Sequence, residues 1–285
     1  MKLAAIYNVW DGVELLKGSI ACINGHVDVI IIVWQRKSNF HEEYNPLTEL
    51  DLPDIGYSLL EYTPSAVSGA QNEINKRNAG IQFARQMGCT HFLHMDCDEY
   101  WPDFGAAKRE YIESGAEGSV CQLYTYFKSP RLRFESLDGY FVPFIHQLNA
   151  DTVSGWHEYP YHVDPTRRTN QRDIVQLKSI MHHFSWIRKD IFRKVRNSSA
   201  KRNLERGTML KDYLDPTIGP GSFIKDYNMR LVLIDNWANI PDYAADFSNY
   251  CNCGGIYKKQ ENILLPSMPP KYKYICSKCN DVIQK

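Results

Sequence analysis

The sequence contains no long hydrophobic run. Its most apolar stretch, Val27 to Trp34, is broken by Asp28 and has the length of a strand, far short of the roughly 20 apolar residues of a membrane-spanning helix. The N-terminal stretch Met1-Lys2-Leu3-Ala4-Ala5-Ile6-Tyr7-Asn8 is apolar for too few residues to read as a secretory signal. Charge of one sign is not in excess: 33 Lys+Arg balance 33 Asp+Glu, which argues against a general nucleic-acid coat. Internal repeats and low-complexity tracts are missing too. These absences predict a soluble, cytoplasmic, globular protein without a transmembrane segment. Its 285 residues suffice for one large domain and a small one.

What is present alternates in period. Residues 2–7 read as a strand, Asp11 to Ile23 as a helix with Val13, Leu16 and Ile20 on one face, and Val27–Trp34 as a β-branched strand buried on both sides. A polar loop over 36–54 leads to a strand at Tyr57–Tyr62. A helix from about Gln71 to Met87 is stopped by Gly88, and the next strand ends at Asp96. This order predicts an α/β fold, a mostly parallel mixed sheet with right-handed crossovers, flanked by helices. Ser119–Phe127 and Tyr140–Leu148 read as further strands. Residues 151–173 form a long aromatic-rich loop, a kind more often functional than idle. Ile187 to about Leu210 reads as a helix, basic over 188–206, whose simplest role is a solvated face; steering an anionic donor or contacting an acidic acceptor such as nucleic acid or phospholipid are the alternatives.

The chemistry concentrates at residues 90–101, Thr-His-Phe-Leu-His-Met-Asp-Cys-Asp-Glu-Tyr-Trp. An apolar strand ends in Asp96, Asp98 and Glu99, and ligands of open α/β sheets bind beyond the carboxyl ends of strands. Carboxylates two apart at that place suit a hard divalent cation carrying phosphate oxygens.

Four segments resemble, in order, the family 2-like glycosyltransferases of GT-A (Rossmann-like) fold. They are Arg77-Asn78-Ala79-Gly80, the strand ending Asp96-Cys97-Asp98-Glu99, Gly155-Trp156-His157-Glu158, and Ile180-Met181-His182-His183-Phe184-Ser185-Trp186, where Ser185 replaces the family's glycine. The resemblance covers roughly residues 2–206. It implies a metal-dependent, inverting enzyme that moves a sugar from a nucleotide-diphosphate sugar to an acceptor hydroxyl. It implies Mn²⁺ or Mg²⁺ held by Asp98, with Asp96 on the ribose or a metal-bound water and His183 completing the set, His182 being the fallback. Glu158 is the implied base that takes the acceptor's proton. Tyr7, Asn8, Asp11 and Glu14 occupy the position where the family binds the nucleotide base, with Gln35 contributing. Arg77 reaches the diphosphate or holds the helix down by an ion pair, and Asn78 binds donor or loop backbone.

Eight cysteines divide into two groups. Cys22, Cys89, Cys97 and Cys121 are scattered singly. Cys251, Cys253, Cys276 and Cys279 form C-x-C…C-x-x-C, which matches a structural Zn²⁺ site or, less well, an iron–sulfur cluster. The expected division is therefore a transferase-like domain over 1–245 and a zinc-stapled module over 246–285. The acceptor stays open between glycan, protein and modified DNA. A phage-type enzyme acting on hydroxymethylated DNA bases is one version, motivated by the basic helix and the cysteine module. A non-catalytic nucleotide-binding or interaction protein is an alternative, supported by Ser185. A nucleotidyltransferase usually carries a glycine- and lysine-rich loop after its first strand, and Asn8-Val9-Trp10-Asp11-Gly12 is not one.

Overall fold

The computed structural model describes residues 1–52, 55–65, 68–197 and 209–243 and, further on, the strands 257–265, 271–276 and 282–284. Its centre is the mostly parallel mixed sheet expected from the alternating pattern. Strands β1 (Leu3–Val9), β2 (Val29–Trp34), β3 (Ser58–Glu61) and β4 (His91–Met95) lie in the order β3-β2-β1-β4, all parallel. β5 (Glu99–Tyr100) follows β4 at once. β6 (Gly118–Phe127), β7 (Leu132–Phe134), β8 (Phe141–Gln147) and β9 (Ile174–Trp186) complete the middle of the chain. The sheet continues β4-β8-β6-β9, and there only β8 runs against its neighbours. From the far end of β6 an antiparallel ribbon extends through β7 to β11 (Met229–Leu233) and β10 (Phe223–Ile224).

Both faces of the sheet's middle are buried, which is why β1 and β2 read as continuous apolar runs rather than alternating ones. Alternate residues still go to opposite sides. Leu3, Ala5, Tyr7 and Val9 pack with Val13, Leu16 and Ile20 of helix α1 (Val13–Ile23) and with Phe104 of helix α3 (Phe104–Ser114). Ala4, Ile6, Ile31 and Val33 pack with Ile81 and Ala84 of helix α2 (Gly69–Gln86). Ser68 caps α2 by accepting the Gln71 amide at 3.3 Å.

Some expectations are corrected. Helix α1 starts at Val13, not Asp11, because Gly12 takes a left-handed φ of 75°. Tyr7 does not reach a ligand: its ring is fully buried and its hydroxyl pairs with Ser19 at 3.0 Å. The basic helix does not begin at Ile187. Residues 187–190 are irregular, with a bend at Lys189, and helix α4 spans only Ile191–Asn197; 198–208 lie outside the described residues. Helix α3, capped by Asp103 accepting the Ala106 amide at 2.8 Å, and the long strand β9 were not foreseen.

The C-terminal strands Tyr257–Leu265, Lys271–Cys276 and Val282–Gln284 form a separate antiparallel sheet. Cys251, Cys253 and Cys279 lie outside the described residues. Among the described residues no helix is long and apolar enough to cross a membrane.

Gly80 has a packing role. A β-carbon there would lie 2.4 Å from Ile6 Cγ2 and 3.1 Å from Val33 Cγ2, so α2 rests directly on β1 and β2. Gly80→Ala is expected to lower the unfolding free energy by about 1–3 kcal/mol, the usual cost of overpacking a core. Urea denaturation measures it, and an unchanged midpoint would disprove the close approach.

Candidate active site

A cavity of about 370 Å³ opens where β1, β2 and β4 end, all at the sheet's carboxyl edge, the usual ligand position of such sheets. Asn8, Trp10 and Asp11 line it from the end of β1, Gln35 from the end of β2, and Glu73 and Lys76 from α2. Asp96, Cys97 and Asp98 enter after β4, His183, Ser185 and Trp186 from β9, and Arg188 and Lys194 from the chain that follows. Asp164 arrives from the long aromatic loop.

The acidic corner is built by pairing β5 with β9. After Met95 the chain turns tightly, with the Glu99 amide bonded to the Asp96 carbonyl at 3.2 Å. Glu99 and Tyr100 then pair with His183 and His182, and the Phe184 amide donates to the Asp98 carbonyl at 2.7 Å. Strand alternation separates the two histidines. His183 lines the cavity, with Nε2 3.6 Å from Asp98 Oδ2. His182 turns away: its Nδ1 lies 2.7 Å from the Tyr126 hydroxyl and its ring packs edge-on against Trp237. Burial holds the His182 pKa down at about 4, so that imidazole is neutral.

Each carboxylate of the corner meets a guanidinium. Glu99 is 3 % exposed and is gripped by Arg167 through Nη1 at 2.5 Å and Nη2 at 2.8 Å. Asp98, equally buried, accepts from Arg188 Nη2, with Lys194 Nζ 3.7 Å from the same oxygen. Burial alone would raise the Asp98 pKa, but Arg188, His183 and Lys194 together hold it well below the usual carboxylate range. Asp96 stands 3.7 Å from both Arg77 and Arg167. Burial acts to raise its pKa as well, and the Arg167 and Arg77 charges outweigh that and lower it.

This arrangement does not fit the metal set expected from the motif. The Asp98 oxygen that would bind a divalent ion is already bonded by Arg188 and approached by Lys194, and Asp96 faces two further cations. Ligand oxygens for Mg²⁺ or Mn²⁺ have to be free to turn toward the ion. Among the described residues no three His, Cys, Asp or Glu side chains converge as a ligand set.

Beyond the ends of β1 and β2 lie polar groups without partners. Both amide atoms of Asn8, Trp10 Nε1, Asp11 Oδ2 and Gln35 Oε1 are buried and make no hydrogen bond. Buried polar atoms are nearly always satisfied, so a cluster of exceptions calls for an explanation. Burial raises the Asp11 pKa, against the neighbouring Arg188 charge. Gln35 Nε2 donates to Asn39 at 3.2 Å.

Other expected residues stand elsewhere. Glu14 accepts the Lys189 amide at 2.8 Å and does not line the cavity. Arg77 is buried, bonds Glu73 of its own helix at 2.6 Å, stands 3.7 Å from Asp96 and does not line the cavity. Asn78 exchanges two hydrogen bonds with the Ser154 backbone, at 2.9 and 2.7 Å, so it binds loop rather than ligand. Glu158 is exposed and not part of the cavity wall. The basic segment is not a solvated face in its described part. Arg188 and Lys194 turn to Asp98, Arg193 lies over the Tyr44 ring at 3.9 Å, and Arg196 bonds Glu42. Trp10, Glu73, Lys76, Asp164, Arg188 and Lys194 were missed as cavity residues. Arg188 was legible as a basic residue just past the His-aromatic segment, but nothing local showed that it folds back onto Asp98.

The chain matches no protein-family model and no curated protein in sequence. Among solved structures it is similar to S. aureus TarS 1-349, with 11% identity and a TM-score of 0.37 over 69% of this chain. The match spans 64% of that chain, just under two thirds of its length. It is also similar to the same protein in complex with UDP, with 12% identity and a TM-score of 0.28 over 45% of this chain and 36% of that one.

Lys76 provides a pH signature. Its Nζ is buried and donates to the Val9 carbonyl at 2.9 Å, and burial pushes its pKa down to about 7 from an ordinary value of 10.5. Between those values the unfolded chain binds the proton and the folded chain does not, so stability rises with pH across that window. The wild-type unfolding free energy minus that of Lys76→Met is expected to climb from pH 7 toward pH 10. A flat difference in denaturant titrations would show that Lys76 stays charged in the folded protein.

Proposed function

We propose that this chain is a glycosyltransferase that takes a sugar from a nucleotide-diphosphate sugar and passes it to an acceptor hydroxyl with inversion. The observation that carries the reading is the cluster of unpartnered polar atoms on Asn8, Trp10, Asp11 and Gln35. Donors and acceptors of both kinds, buried at the carboxyl edge of a largely parallel sheet, suit the polar edge of a nucleobase and its ribose. The cations around Asp98 suit phosphate. The four ordered motifs that resemble the GT-A family add the sugar. A bare nucleotide-binding protein would explain the first two features but not the third.

In an inverting transfer, the acceptor oxygen attacks the anomeric carbon while a base removes its proton, and that base has to sit within hydrogen-bond reach. The 151–173 loop supplies two carboxylates. The resemblance points to Glu158, and the cavity wall contains Asp164. Asp164 also caps the short 3₁₀ turn at Pro165–Arg167, accepting from the Thr166 amide at 2.8 Å, which holds its carboxylate in place. Asp164 is therefore the better-placed base. Three anchors keep the loop in position: Asn78 on Ser154, Arg85 on Thr152 at 2.9 Å, and Arg167 on Glu99. The Zn²⁺ module remains a proposal from cysteine spacing alone, and elemental analysis expects one zinc per chain, lost in Cys276→Ser.

Calorimetry against UDP, GDP and ADP and their sugar conjugates tests the reading. One nucleotide is expected to bind, and Asn8→Ala to weaken it about tenfold, the loss of one or two hydrogen bonds to buried groups. Failure of every nucleotide to bind would defeat it. For the base, Asp164→Asn keeps the cap and is expected to cut turnover about a hundredfold or more. Glu158→Gln is expected to change it little, and the reverse result would return the role to Glu158. Glycan, protein and hydroxymethylated DNA acceptors, assayed in parallel, identify the acceptor.

A further inference from the structure

We infer that Arg188, with Lys194 beside it, is the phosphate-binding cation of this site and stands where a divalent metal ion would otherwise be expected; the inference rests on the transferase reading above. Three observations carry it. First, the Asp98 oxygen suited to a metal is taken by Arg188 Nη2, with Lys194 Nζ and His183 Nε2 at 3.7 and 3.6 Å. Three nitrogens thus surround one oxygen. Second, the chain makes a berth for the guanidinium. A β-carbon on Gly12 would lie 3.1 Å from Arg188 Cζ and 3.3 Å from its Nε. Gly12 has the left-handed φ of 75° that other residues rarely adopt. Third, Arg188 is not saturated. Nη1 donates to the Phe184 and Ile187 carbonyls and Nη2 to Asp98, but Nε is buried without a partner, and the residue lines the cavity. A buried ion pair usually stabilises a fold no better than apolar groups of the same size. Its position at the cavity wall supplies another reason to keep it.

The chemistry that follows is balanced. The bond between the anomeric carbon and the β-phosphate oxygen breaks, and its electron pair stays on that oxygen. The acceptor hydroxyl oxygen forms the new bond to carbon, and its proton passes to the carboxylate base. The nucleoside diphosphate leaves with one more negative charge than it carried in the donor. Guanidinium N–H groups recognise phosphate oxygens in a fixed planar fork, and an ammonium adds a mobile point charge. Both stabilise the charge that develops as the bond breaks. Asp98 then serves as a positioning residue that aims Arg188, not as a metal ligand.

The test is calorimetric binding of UDP, GDP and ADP, each in EDTA and in MnCl₂, to the full chain and to three variants. Uridine, guanosine and adenosine serve as phosphate-free controls, and thermal melts check each variant's folding. For whichever diphosphate binds, its affinity in EDTA is expected to be within about threefold of that in MnCl₂. Lys194→Ala is expected to weaken the diphosphate at least tenfold, about 1.4 kcal/mol, and leave the nucleoside unchanged. Asp98→Asn, which loosens the carboxylate's hold on Arg188, is expected to weaken the diphosphate by the same factor in EDTA as in MnCl₂. Arg188→Lys keeps a charge but loses the fork, and is expected to fall between wild type and Lys194→Ala. If a diphosphate binds only with MnCl₂ and Asp98→Asn abolishes it, the cation assignment is overturned while the transferase reading survives. Binding in EDTA that neither Lys194→Ala nor Arg188→Lys alters also overturns it. If no diphosphate binds in either condition, the transferase reading fails and takes this inference with it.

Discussion

The site is organised by the burial of opposite charges beyond the end of β4. Asp98 with Arg188 and Glu99 with Arg167 are each almost wholly removed from water. Taking such charges out of solvent costs several kcal/mol each, and removing one partner leaves the other uncompensated, typically a loss of about 3–5 kcal/mol. Each pair therefore ties its two chain segments together. Arg167 brings the aromatic loop onto the sheet, and Arg188 brings the segment after β9 onto the turn that follows β4. The cavity exists because these distant segments have to meet the carboxylates.

Two regions of the cavity differ in kind. The region near Asn8 and Gln35 holds neutral hydrogen-bonding atoms left unsatisfied, a state that favours a ligand able to complete them. The region around Asp98 sets a cation beside each carboxylate. Glu73, Asp96, Asp98 and Glu99 there are opposed by Arg77, Arg167, Arg188 and Lys194. A ligand that brings negative charge re-partners existing cations there; it does not enter an empty field. The donor proposed above, a nucleotide-diphosphate sugar, carries groups of both kinds.

The alternating pattern of strand and helix was legible because it follows from burial. Val29–Trp34 is apolar on both sides since both faces of the sheet are covered, and Gly88 and Ser68 bracket α2 by local geometry. The acidic corner was legible for the same reason: three carboxylates right after an apolar strand have few structural explanations. Tyr7 and Glu14 were misread because a motif gives position along the chain but not side-chain direction. Tyr7 faces α1 rather than the ligand end, and Glu14 is spent on the Lys189 backbone. Strand β9 escaped notice because its residues, Ile174 to Trp186, mix Lys, Ser, Gln and His into a pattern that only pairing with β6 and β5 sorts into two sides.

The sequence by itself determined the class of fold, the strand end that borders the cavity and the residue types available there, because hydrophobic period and turn chemistry are local properties. Which cation answers which carboxylate was decided only by tertiary structure. Arg188 lies 90 residues from Asp98, and Arg167 68 residues from Glu99. Coulomb attraction and shared burial act through space, so no spacing along the chain encodes them. That distinction turns a motif expected to hold a metal ion into one whose first partner is an arginine.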